Sequence, residues 1–208
     1  MTKPKAHGPL FHILDVAFNL VVILAIVMGI RTFLVMPFQV EGKSMDSTLA
    51  DREYIIINKL AYYLGDPGRG DVVVFHPPNA PGKYYVKRVI GVGGDEVTLR
   101  GGKVYVKRGG ETEEKLLDEP YLDPTNQSKT FRHAIGSDGA TVTFQVPADH
   151  YFLLGDNRQN STDSRGFTDG SGQPSPYVND SAVAGKVWFV ALPLSKVHAL
   201  QPPEYALE

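Results

Sequence analysis

The chain of 208 residues has no cysteine. That excludes disulfides, thiolate metal sites and a cysteine nucleophile together. It also lacks any long basic run, and its net charge is −2, so it carries no electrostatic footprint for nucleic acid. Its six histidines, at 7, 12, 76, 133, 150 and 198, show neither HExxH nor HxH spacing, so neither a metal nor a cofactor is expected. No Gly-x-Ser-x-Gly elbow occurs. A histidine-based triad stays open at this point, because its members meet only in the fold. His76 and His133 read as surface residues, and His150 as a loop or strand-edge residue. Gly42-Lys43-Ser44 spells the tail of a phosphate-binding loop, but the glycine required five positions earlier is Pro37. That spacing argues against a nucleotide.

Long hydrophobic runs are scarce, and the one present is near the N-terminus. Between Val16 and Ile30 the only polar side chain is Asn19, and apolar character resumes at Phe33-Leu34-Val35-Met36. A spanning helix needs ~20 mainly apolar residues. A cleaved signal peptide would need small residues after the apolar core, where Arg31, Thr32, Phe33 and Leu34 stand instead. The reading is a short cytoplasmic tail (1–10), a transmembrane anchor (11–36) ended by Pro37, and an extracytoplasmic domain (37–208). Lys3 and Lys5 before the helix favour that orientation and Arg31 opposes it.

What is abundant is turn and strand chemistry. The sequence holds 21 glycines and 15 prolines, and short Val-, Ile-, Thr- and Tyr-rich runs alternate with Gly-Gly, Pro-Gly and Pro-Pro breakers. Strands are expected at 38–40, 54–58, 72–76, 84–92, 96–99, 103–107, 141–146, 151–154 and 184–191. A hairpin turn is expected at Gly101-Gly102, and the one short helical stretch around 60–64. This is an all-β domain on a membrane stalk, with a polar, strand-poor excursion at about 107–140.

Ser44 follows the anchor directly and could be a turn residue or a nucleophile. A serine can be activated by lysine, provided the amine is neutral. Its pKa must then fall from ~10.4 by about three units, a differential solvation of roughly 4 kcal/mol. Only burial beside apolar or positive groups imposes that. Lys87, within Tyr84-Tyr85-Val86-Lys87-Arg88-Val89-Ile90, fits best. Lys59 is the second choice and Lys43 a bystander. On composition alone, a Lys-Arg pair in a strand is more often exposed at an edge. The stretch Gly155–Arg165 packs turn formers with two acids and two arginines, either as a solvated loop or as a rigid turn that orients a catalytic group.

Four blocks together resemble bacterial type I signal peptidases, the membrane-anchored Ser/Lys proteases. They are the anchor ending in Ile30-Arg31-Thr32-Phe33; VEGKSMDSTLADREYIIINK (40–59); RGDVVVF (69–75) with YYVKRVIGVGGDEV (84–97); and LGDNRQNSTDSR (154–165). The closing GKVWFVALPLSKV (185–197) agrees. The resemblance implies the catalytic β domain of that family, with Ser44 as nucleophile and Lys87 as general base. It makes Ser161 the hydroxyl that positions the ammonium, Asp163 and Arg165 the ion pair holding the turn, and Asp156 a structural partner. The oxyanion would rest on the Ser44 N–H and the Gly42 region, since Gly42 stands where some members carry a helping serine. Phe38, Val40, Met45, Leu49, Ile55, Val74, Tyr85 and Val86 match the walls of small-residue pockets. Ser47 departs from the pattern, where proline is usual, which would loosen the backbone just past the nucleophile.

The resemblance further implies removal of signal peptides from exported preproteins at the membrane surface, through an acyl-enzyme. Substrates would bind extended, with small residues at the first and third positions before the cut. Partners are then preproteins and the lipid bilayer, with no nucleic acid or nucleotide. Two alternatives stand beside it. One is a related Ser/Lys peptidase of narrower substrate, of the pilus or conjugation type. The other is an inactive membrane-anchored β scaffold that binds secreted peptides.

Overall fold

The computed structural model describes residues 8–62, 65–131, 141–203 and 205. Lys3, Lys5, His7, His133 and the Asp138-Gly139 turn lie outside the described residues. The apolar run forms α1 (Pro9–Gly29), with proline at its start, where a missing N–H costs nothing. Its Leu10–Gly29 stretch has a mean hydropathy of 2.5 and buries none of itself against the protein. Twenty helical residues span about 30 Å, the thickness of a bilayer's hydrocarbon core. A helix apolar on every face and packed on nothing must find its cover elsewhere.

A π-helical turn at Ile30–Leu34 leads straight into strand β1 (Val35–Gln39). The helical path therefore ends at Leu34, earlier than Pro37, and Pro37 lies within the strand. That is sterically acceptable because β1 is an edge strand, paired on one side only, with Pro37 opposite Ile56.

The remaining strands are β2 (Tyr54–Asn58), β3 (Val72–Phe75), β4 (Tyr85–Gly91), β5 (Glu96–Arg100), β6 (Lys103–Lys107), β7 (Lys115–Leu116), β8 (Val142–Gln145), β9 (His150–Leu154), β10 (Val178–Asn179), β11 (Val183–Leu192) and β12 (His198–Ala199). The protein is all-β apart from its N-terminal helix. The larger sheet runs β1-β2-β11-β3-β4-β9-β10 with β12 beside β11, and the smaller runs β7-β6-β5-β8. Every strand pair is antiparallel. β7, β10 and β12 are two-residue strands without an alternation to read, and no sequence pattern announces them. Of the helical stretch expected around 60–64, Leu60–Tyr62 forms a 3-10 turn, and residues 63–64 lie outside the described residues.

Three apolar clusters set the geometry. Met45, Leu49, Ile55, Ile57, Val74 and Val187 pack together under the segment that carries Ser44. Val73, Phe75, Val89, Leu153 and Phe167 form a second cluster. Ile90, Val97, Val106, Phe144 and Phe152 seal the smaller sheet against the larger. β4 lies in the middle of the larger sheet, between β3 and β9. Lys87 and Arg88 are 3% and 2% exposed, so the exposed-edge reading of this pair is wrong.

The Gly101-Gly102 hairpin forms as expected, with Arg100 opposite Lys103 and both glycines at positive φ, 58° and 75°. At Gly102 a Cβ would lie 2.1 Å from the Ser128 carbonyl oxygen, whereas at Gly101 it would meet open space. Gly102→Ala is expected to destabilise the protein by at least about 2 kcal/mol, and Gly101→Ala by no more than about 1 kcal/mol. Chemical unfolding of the two variants side by side checks this. Equal losses would show that backbone conformation alone, rather than the approach of Ser128, sets the cost.

Candidate active site

Ser44 lies in the turn that follows β1, and two buried side chains anchor that turn. Met45 and Leu49 are each 1% exposed, and the Leu49 N–H donates to the Met45 carbonyl. They belong to the core beneath the site and do not line its groove, contrary to their expected place in the pocket walls. Phe38, Val40, Ile55, Val74, Tyr85 and Val86 do line a groove of about 670 Å³, together with Ser44, Lys87, Asn160 and Thr162. Phe38 stacks edge-on against Tyr84 at 4.8 Å, and Tyr84 lies 4.2 Å from the His76 ring. His76 thus flanks the groove wall, and its Nδ1 is engaged with the Lys83 carbonyl. Lys59 is absent from the groove lining and stands at the end of β2.

Lys87 reaches Ser44 across the sheet. Its Nζ donates to Ser44 Oγ at 2.6 Å and to the Val86 carbonyl at 2.9 Å. Among the described residues no carboxylate forms an ion pair with it. Burial lowers its pKa from 10.5 to about 8; Asp163 and Asp156 pull the other way, and Arg165 assists the lowering. The positive neighbour is therefore Arg165 rather than the adjacent Arg88. Successive strand residues point to opposite faces, and Arg88 turns away to grip Asp156 at 2.9 and 2.6 Å.

The 155–165 turn is a rigid polar structure. Asp163 accepts from Arg165 at 2.8 and 2.7 Å and from the Gly155 N–H at 3.0 Å, all within the interior. Burial raises the Asp163 pKa, but the Arg165 charge and these hydrogen bonds outweigh it and hold the group below the usual carboxylate range. Asp156, fully buried, takes the Arg88 fork and a hydrogen bond from Thr48 Oγ1 at 2.5 Å. The turn also holds the backbone at Ser44. The Asn157 N–H donates to the Ser44 carbonyl at 3.0 Å, and Asn157 Nδ2 to the Lys43 carbonyl at 2.9 Å.

Ser161 departs from its expected contact. Its hydroxyl is buried and makes no hydrogen bond of standard geometry, although it lies near enough to the Asp163 carboxylate to lower its pKa. It packs on Gly155, where a Cβ would meet Ser161 Oγ at 2.1 Å and the Ser44 carbonyl at 2.5 Å. In the oxyanion region the Gly42 N–H is committed to Asp51 Oδ1 at 2.8 Å. Among the described residues nothing accepts from the Ser44 N–H.

Sequence reasoning assigned no role to Arg158, Asn157 or Glu119. Arg158 is fully buried, and its guanidinium donates to both Glu119 oxygens, to Thr130 Oγ1 and to Tyr121. Its partners lie in the polar excursion, some 30 to 40 positions away, so no local pattern could announce them. Ser47 is also not the loose point that the missing proline suggested. Its φ is +99°, which a proline ring cannot adopt, and its hydroxyl donates to Asp123 at 2.7 Å.

A serine hydroxyl bonded to a buried lysine, at the floor of a groove beside a free sheet edge, can do acyl transfer with lysine in the place of histidine. This is the chemistry of the Ser/Lys class of serine peptidases. Comparison with known proteins agrees: the model of the family "Signal peptidase, peptidase S26" matches residues 13–192. Signal peptidase I of Bacillus amyloliquefaciens is 36% identical over 190 residues, covering 89% of this chain and 91% of that protein. Signal peptidase I U of Bacillus subtilis is 35% identical over 164 residues, covering 77% and 79%. Signal peptidase I P of Bacillus subtilis subsp. natto is 38% identical over 165 residues, covering 79% and 84%. The chain belongs to the signal peptidase family, peptidase S26, and is a serine endopeptidase.

The buried lysine has a thermodynamic consequence. Its pKa is about 8 when folded against 10.5 in the ordinary state, so between these values the unfolded chain binds more protons and stability rises with pH. Below the lower value the folded protein carries the full cost, roughly 3 kcal/mol. Lys87→Met is expected to raise the unfolding free energy at pH 7 by up to that amount, with the gain shrinking to nothing by about pH 10.5. Urea unfolding across pH 6–10.5 checks it; a difference independent of pH would contradict a desolvated ammonium.

Proposed function

We propose that this chain removes signal peptides from exported preproteins, with Ser44 as nucleophile and Lys87 as general base. The observation that carries the reading is the 2.6 Å hydrogen bond from Nζ to Oγ, made by a lysine with no carboxylate partner and a pKa lowered to about 8. The neutral amine takes the Ser44 proton as Oγ attacks the scissile carbonyl. The oxygen of the tetrahedral intermediate is met by the Ser44 N–H. The lysine returns its proton to the leaving amine, and the same base then activates the water that hydrolyses the ester. Ser161, whose buried hydroxyl packs on Gly155 beside the Asp163 carboxylate, is the group we assign to the ammonium that forms in the reaction.

The substrate enters as an extended strand. β1 offers a free edge along one side of the groove, and the Lys83–Val86 stretch lines the groove as well. Phe38, Val40, Ile55, Val74, Tyr85 and Val86 leave room for small side chains at the first and third positions before the cut. α1 anchors the chain in the cytoplasmic membrane with its N-terminus inside and residues 37–208 outside. β1 follows the helix directly, so the groove lies close to the bilayer, where a substrate's own signal helix ends. Trp188 and Leu194, exposed on and beside β11, add apolar surface on the same sheet.

Ser44→Ala and Lys87→Arg are each expected to lower turnover of a preprotein in detergent on the order of 10³-fold or more, because an arginine stays protonated. For the unmodified enzyme kcat/KM should rise through about pH 8 and level off above it. Near-normal cleavage by either variant would sink the Ser/Lys assignment. A wild type that cleaves no preprotein would instead favour the peptide-binding scaffold.

Orientation is testable because the chain has no native cysteine. In intact cells, Gln173→Cys is expected to react with a membrane-impermeant maleimide, and Thr2→Cys only after permeabilisation. The reverse pattern would overturn the topology.

A further inference from the structure

Residues 119–130 join the two halves of the site. On one side this segment holds the 155–165 turn. Glu119, Tyr121 and Thr130 accept from Arg158, Asn126 Oδ1 accepts from the Gln159 N–H at 3.3 Å, and Gln159 Nε2 donates to the Thr125 carbonyl at 2.8 Å. On the other side it reaches the nucleophile turn through one residue, Asp123. Its Oδ1 accepts from the Thr125 N–H (2.9 Å), Thr125 Oγ1 (2.6 Å) and the Asn126 N–H (3.0 Å), which fix the carboxylate. Its Oδ2 then accepts from Ser47 Oγ at 2.7 Å.

Ser47 is three residues past Ser44 and holds φ +99°, a conformation a non-glycine residue keeps only when its surroundings enforce it. Met45 and Leu49 enforce the turn from beneath. On the exposed side the Asp123 carboxylate supplies a charge-assisted hydrogen bond. Hydrogen bonds from Thr125 and Ser47 hold its pKa far below the usual range, so the tether stays charged at any working pH.

We infer that Asp123 is a positioning residue for the nucleophile: through Ser47 it fixes the 44–49 turn against the 155–165 turn, and so sets the approach of Ser44 to Lys87. The inference rests on Ser44 being the nucleophile. It assigns the 119–130 segment a part in alignment, since displacement of a reacting group by about 1 Å costs on the order of 10²-fold in rate.

The test uses the full-length chain in detergent, with Ser47→Ala, Asp123→Ala, Asp123→Asn and the Ser47→Ala/Asp123→Ala double variant, assayed on one preprotein. Ser47→Ala and Asp123→Ala should each lower kcat about tenfold to a hundredfold, with KM within about twofold. The acid limb of the pH profile should stay in place, because neither change touches the surroundings of Lys87. The double variant should be no slower than the slower single one. Asp123→Asn should recover most of the rate, since its amide can donate to Ser47 Oγ while its oxygen keeps Thr125 and Asn126. Ser47→Ala leaves the Asp123 turn intact, so it decides the matter if Asp123→Ala fails to fold. The inference is overturned by a wild-type kcat in Ser47→Ala, by additive losses, or by a fall in rate accompanied by a moved acid limb. Ser44→Ala, run alongside, separates the two levels. If it is active, the nucleophile reading itself fails; if it is inactive while Ser47→Ala is normal, only the tether fails.

Discussion

The site depends on one amine kept out of water. Lys87 is 3% exposed, and its hydrogen bonds go to a hydroxyl and a backbone carbonyl, groups that accept from an amine in either protonation state. Without a carboxylate of its own it lacks the pairing that normally compensates a buried ammonium. The three guanidiniums around it differ in that respect: Arg88 has Asp156, Arg165 has Asp163 and Arg158 has Glu119. Each of the three buried guanidiniums thus faces a carboxylate, and the lysine does not. The nearby acids still favour the charged lysine, and desolvation outweighs them. The burial that lowers the amine's pKa is also its cost in stability.

Paired charges that deep are poor stabilisers, because the attraction between them roughly repays their dehydration. What they supply is position. Each joins segments far apart in sequence: Arg88 on β4 to Asp156 past β9, and Arg158 to Glu119 in the excursion. Asn157 ties the same turn to the Ser44 carbonyl. The apolar clusters fix where β3, β4 and β9 lie, while the polar network fixes the last ångström between Oγ and Nζ. A lost methyl in the core costs packing, whereas a lost carboxylate in this network leaves a buried guanidinium unpaired and so costs stability as well as position.

The sequence made the local parts legible and the long-range parts only by resemblance. Period-2 runs located β2, β6 and the Gly101-Gly102 hairpin to within a residue, because alternation and turn chemistry are local. The requirement for a neutral lysine pointed to Lys87, but composition alone left it looking like an exposed edge pair. The difference lies in β4 being flanked on both sides, which depends on strand order rather than on β4 itself. Arg88, adjacent in sequence, faces the opposite side, and the like charge near Lys87 comes from Arg165. Met45 and Leu49 were expected in the pocket walls from the resemblance, and their hydrophobicity does not say which face of a turn is covered. The helix overran its true end for a related reason, since Pro37 forbids neither an edge strand nor a strand start.

The excursion shows why a polar, strand-poor segment is hard to read. Its residues 119–130 carry the hydrogen-bonding groups of a solvated loop, and nothing in their order says that Asn126 and Thr130 are buried. They are 3% and 1% exposed, because Arg158 and Gln159 meet them there. A buried guanidinium has five donors to satisfy, and within the 155–165 turn Arg158 Nε donates to the Gly155 carbonyl. The remaining acceptors had to come from another segment. The 155–165 turn is thus incomplete by its own chemistry, and the excursion completes it. The same segment that satisfies Arg158 also reaches Ser47. Completing the Lys87 side of the site therefore also brings a carboxylate to the Ser44 turn, beside the direct ties that Asn157 and Asp156 already make to it.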